Sequence, residues 1–110
     1  MPAGQKTGME MDKAEARAVL AHHLATYRHY SYADLTQLIG VIRAVQVRGL
    51  SGVEYQIEVE IMWDSPRQKT NILVMGAIDD GRLPGAFSPL SDSFILAPDG
   101  RFVGEQSRNA

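Results

Sequence analysis

The chain has 110 residues, enough for one domain with a real core and too few for a second. Eleven basic and thirteen acidic side chains leave a formal charge of −2, so no global field draws nucleic acid or an anionic membrane. The absence of cysteine removes disulfides, a thiolate nucleophile and thiolate zinc sites, and no segment approaches the roughly 20 apolar residues of a membrane span. The expectation is a soluble, cytoplasmic single domain over 12–105, with a flexible leader at 1–11 and a frayed tail at 106–110.

Asp12 followed three residues later by Glu15 has the form of a helix N-cap with its reciprocal partner. Good helix formers follow and predict a helix over 13–29. Its apolar positions Ala16, Val19, Leu20, Leu24 and Tyr27, with His23 on the margin, recur at spacings of three and four, so one stripe faces a core. Ser31 with Asp34 repeats the capping pattern, and Leu35, Leu38, Ile39 and a terminating Gly40 predict a second, shorter helix after a sharp bend at 29–32.

Val41, Val45 and Val47 share a parity with Arg43 between them, and the stretch VEYQIEVEIMWD over 53–64 alternates apolar with polar residues, the period of a strand with one buried face. The two runs predict a β-hairpin. Keeping the valine parity inside places Val47 opposite Val53 and Val45 opposite Tyr55 across a three-residue loop with a glycine at positive φ, and brings Arg48 and Gln46 near Glu54. After the turn DSPRQKT, a third strand, NILVMGAI, is apolar on both parities: Ile72, Val74 and Ile78 on one, Leu73, Met75 and Ala77 on the other. The second face must be covered within the chain or by another copy of it. Residues 79–92 read as a long irregular loop. Ser93–Ala97 and Arg101–Glu105 then flank the turn Pro98, Asp99, Gly100 and predict a second hairpin.

This order predicts an α+β domain, an N-terminal helix pair packed on one face of a four- to five-stranded, mainly antiparallel sheet. The element order resembles the helix-backed, cone-shaped sheets of the nuclear-transport-factor-like and cystatin-like folds. The likeness involves no motif and brings no activity or residues with it.

Candidate chemistry is sparse. His22 and His29 share a helix face two turns apart, with His23 a quarter turn away, and the spacing of four with an adjacent Glu that marks a two-histidine zinc helix is missing. Glu54, Glu58 and Glu60 form an acidic row that reads as a solvated strand face, and Asp79 and Asp80 before Gly81 read as turn chemistry. No serine sits in a hydrolase elbow and no glycine-rich phosphate cradle is present, so no catalytic residue, metal ligand or cofactor is assigned.

Two functional expectations follow. The first is a non-catalytic interaction or assembly module that forms a homodimer through its sheet, with Leu73, Met75 and Ala77 at the interface, and that could also meet another protein. The second is a small-ligand binder or enzyme with a pocket between the sheet and the 79–92 loop, walled by Tyr55 and Trp63, rimmed by Arg82 and Asp92 and gated by Phe87.

Overall fold

A computed structural model describes residues 12–81 and 90–105. The fold is α+β. Helices α1 (Lys13–Tyr27) and α2 (Tyr32–Thr36) precede strands β1 (Ile42–Arg48), β2 (Glu54–Trp63), β3 (Ile72–Asp79) and β4 (Leu90–Leu96). The strands form one antiparallel meander in the order β1-β2-β3-β4, with α1 laid over β3 and β4 and α2 touching β3.

Both helices begin where their caps lie. The Asp12 carboxylate accepts from the Glu15 amide at 3.1 Å, and Ser31 and Asp34 form a reciprocal capping box. α1 stops at Tyr27, two residues short of the predicted end, because the next three amides bond three residues back, Arg28 to Ala25, His29 to Thr26 and Tyr30 to Tyr27, which tightens and ends the helix. α2 likewise ends at Thr36 rather than at Gly40.

The predicted hairpin forms, but its register differs from the expected one. Val47 faces Tyr55, Val45 faces Ile57 and Arg48 faces Glu54. The loop has the expected three residues but sits one position later, at 50–52: the Gly49 amide donates to the Val53 carbonyl at 2.8 Å and the Gly52 amide to the Gly49 carbonyl at 2.9 Å, with Gly52 at φ +95°. Val53 therefore pairs with Gly49 instead of Val47. A two-residue slip preserves parity, so every side chain keeps the face predicted for it.

Ala16, Leu20, Leu24 and Tyr27 of α1, with Leu35 of α2, meet Tyr55, Ile57, Val59 and Ile61 of β2, Ile72, Val74 and Ile78 of β3, and Phe94 and Leu96 of β4 in one core. At Gly76 the helix comes close to the sheet backbone. A Cβ there would lie 3.0 Å from Leu20 Cδ1 and 3.1 Å from Leu24 Cδ2, so the missing side chain is the seat of α1.

β4 begins at Leu90, three residues before the predicted start, and its return is not a fifth strand. The turn forms as predicted, with Asp99 Oδ1 accepting from the Arg101 amide at 2.9 Å, but only Leu96 and Phe102 make a bridge. The chain is then drawn to the end of α1. The Arg28 guanidinium lies 4.7 Å from the ring centroids of both Phe94 and Phe102 and donates to both oxygens of Glu105 at 3.0 and 2.8 Å. Replacing Gly76 by valine forces a side chain against Leu20 and Leu24; equilibrium urea unfolding of Gly76→Val is expected to show a loss of about 1–3 kcal/mol.

Candidate functional site

β1 lies outboard of the helices, and of its seven residues all but Val47 are exposed. Six large apolar side chains are exposed among the described residues. Four of them, Val41, Ile42, Val45 and Leu50, belong to β1 or its immediate flanks; the others are Met75 and Val103. Val45 is 41% exposed and Ile42 59%, on opposite faces of the strand, and Leu50 at the loop tip is fully exposed.

Edge strands usually carry proline, lysine, acidic residues or bulges that discourage pairing. β1 has no proline, lysine, carboxylate or bulge, and its only charges are Arg48, paired with Glu54, and Arg43. Its one inward charge, Arg43, interacts with the hydroxyls of Tyr30 and Tyr27, which raise its pKa and draw it toward the helix end. The other edge differs. β4 presents Ser91, Asp92 and Ser93, and its last residues are covered by the return, where the Val103 amide donates to the Ile95 carbonyl and the Ala97 amide to that of Arg101.

A groove of about 420 Å³ runs between α1 and the end of β1, lined by Ala18, Val19, His22 and His23 on the helix and Val47, Arg48, Gly49 and Leu50 on the hairpin. One end is closed by a clasp. The Glu15 carboxylate accepts from the Tyr55 hydroxyl, the Ser51 hydroxyl and the Ser51 amide at 2.7, 2.7 and 2.9 Å. Gly49 makes room for it, since a Cβ there would come within 2.8 Å of the carboxylate. Toward the other end, His23 meets Tyr27 edge-on and Tyr27 stacks on Tyr30, beside Arg43. Burial, and then the neighbouring His22, lower the His23 pKa, which favours its neutral imidazole at pH 7.

The outer face of the sheet is the second surface. Leu73, Met75 and Ala77 point away from the helices, with Met75 40% exposed and the other two half-buried. Leu73 lies between Met62 and Ile95 in an apolar cross-strand row, whereas Met75 is opposite Glu60 and Ala77 opposite Glu58.

The residues predicted to surround a loop pocket are not brought together. Tyr55 is fully buried and committed to Glu15, while Trp63, eight residues along the same strand, is about 26 Å away. Asp92 sits exposed on β4 opposite Gly76. Arg82 and Phe87 lie outside the described residues, as do most of the 79–92 loop, the 1–11 leader and the 106–110 tail. Asp79 does turn work, accepting from the Gly81 amide at 2.7 Å. Among the described residues no three histidines or carboxylates gather as a metal site, and no helix is long and apolar enough to cross a membrane.

Sequence reasoning missed Glu15 as a clasp, Gly49 as its seat and Arg43 as a tether. Arg43 alone carried a signal, as a charge on the inward parity of an otherwise valine strand. Comparison with protein-family models, curated proteins and solved structures finds no match, so the functional reading rests on geometry.

The Ser51 hydroxyl, then the Tyr55 hydroxyl and the Ser51 amide, hold Glu15 below the ordinary carboxylate value of 4.5, and burial together with the Glu15 charge pushes Tyr55 upward. A depressed carboxylate contributes stability above its unfolded pKa and loses it as pH falls through the folded value. The stability gap between the native chain and Glu15→Gln is therefore expected to be full at pH 7 and to close below pH 4.5, as followed by urea midpoints across pH.

Proposed function

We propose that this chain is a soluble, cytoplasmic, non-catalytic interaction or assembly module that forms a homodimer through its sheet, with the open edge of β1 as the contact. The observation that carries the reading is β1 with its immediate flanks, an edge without proline, lysine, carboxylate or bulge that holds four of the six exposed large apolar side chains of the described residues. Pairing this edge satisfies its backbone groups and covers Val45 and Ile42 together. Contact through the outer face would instead press Glu58 and Glu60 against the partner along with Met75 and Ala77, and desolvating carboxylates is costly. The groove beside α1 supports a second reading, a small apolar ligand held against Val19 and Val47.

Light scattering over a dilution series tests the proposal. A dimer is expected, and Val45→Lys, which places a charge on an already exposed edge position, is expected to weaken it by about 100-fold or more with an unchanged far-ultraviolet circular dichroism spectrum. Met75→Glu is expected to leave the dimer intact. Dissociation by Met75→Glu with no effect of Val45→Lys moves the contact to the outer face. A monomeric native chain overturns the homodimer and leaves the groove as the ligand site to screen.

A further inference from the structure

We infer that the groove between α1 and β1 is completed by Val41 of the partner subunit, in a two-fold pairing of β1 with β1 centred on Val45. This rests on the homodimer reading above and fixes its register. At the two ends of the β1–β2 ladder the Gly49 amide donates to Val53 and the Ile61 amide to Val41. Antiparallel bonding alternates, so the odd residues of β1 are tied to β2, and the amides and carbonyls of Ile42, Ala44, Gln46 and Arg48 point to the open edge. A two-fold axis perpendicular to the sheet then pairs even residues with even ones, keeps valine parity against valine parity, and leaves both α1 helices on the same face.

All seven residues of β1 find a partner only when the axis passes through Val45. Ile42 is then opposite the partner's Arg48, Arg43 opposite the partner's Val47, and Ala44 opposite the partner's Gln46. No arginine faces an arginine. Axes through Ala44 or Gln46 leave residues unpaired at one end of each strand. One step beyond the strand, Val41 of the partner subunit falls opposite Gly49, whose own side-chain space is taken by the Glu15 carboxylate. Val41 is 36% exposed in its own chain, and the groove wall it meets beyond that carboxylate is Val19, Val47 and Leu50, so apolar surface is buried on both sides. The neighbouring Glu15 oxygens already accept from Ser51 and Tyr55, which leaves no unpaired carboxylate facing the entering valine. By symmetry each copy fills the other's groove, and the site is incomplete in a single chain.

The chain contains no cysteine, so single-cysteine variants report the register directly. With the axis at Val45, the two copies of residue 45 form a non-hydrogen-bonded pair with Cα atoms about 4.5 Å apart, within disulfide reach. Residues 44 and 46 each lie about 7–8 Å from their own counterparts. Copper-phenanthroline oxidation, read by non-reducing electrophoresis, is expected to cross-link Val45→Cys at least about tenfold faster than Ala44→Cys or Gln46→Cys. Val41→Ala is expected to raise the dimer Kd about tenfold while preserving the fold, from the methyl groups withdrawn from the groove. Faster cross-linking at 44 or 46, or an unchanged Kd for Val41→Ala, overturns the inference. Failure of all three cysteines in a chain that light scattering shows to be dimeric overturns it and spares the homodimer. A monomer removes both.

Discussion

One α-helix is about 10 Å across and neighbouring strands stand about 4.8 Å apart, so a single helix covers two or three strands and no more. This sheet has four, and the second helix is one of five residues. Some strand has to lie outside the cover. Gly76 bears on which, because Leu20 and Leu24 pack against a β3 position without a side chain, and a helix seated there lies over β3 and β4. β1 is the strand left over.

The rest of the molecule secures that arrangement with charged side chains held among specific partners. Glu15 ties the first turn of α1 to the hairpin loop, and Arg43 on the hairpin sits beside the tyrosines at the other end of the helix, whose hydroxyls raise its pKa. Arg28 packs between two phenylalanines and holds the segment that folds back over β4. The two edges of the sheet are consequently unlike. One is polar and partly covered, the other apolar and bare, with a groove beside it.

Much of the fold was legible because strand parity survives errors in register. The alternation over 53–64 identified the inward residues of β2 although the loop before it was expected one position earlier, and both helix starts were readable from Asp12 and Ser31 with their partners three residues on. The far end of β4 was not, because the pull of Arg28 on Glu105 joins residues 77 positions apart and leaves no local pattern. The site was less legible. Tyr55 and Trp63 stand out as large residues on one face, but a strand separates them by its own length. β1 looked like an ordinary hairpin strand, since whether a valine is covered depends on where the helix sits, and that depended on a glycine whose role only the packing reveals.

The seat of α1 on β3 and β4 also bears on how the chain organises itself in time. All three strand pairings join neighbours in sequence, and hairpins of this kind form within microseconds. The helix seat lies about 50 residues or more along the chain, a separation that the β1–β2 and β2–β3 pairings shorten before the helix docks. Between hairpin formation and helix docking, both faces of the sheet are wet and β1 already has its outward amides and carbonyls aligned. For the proposed dimer, an edge ready before the core is closed would let two copies meet during folding as well as after it, so chain concentration would enter the folding kinetics and not only the final equilibrium.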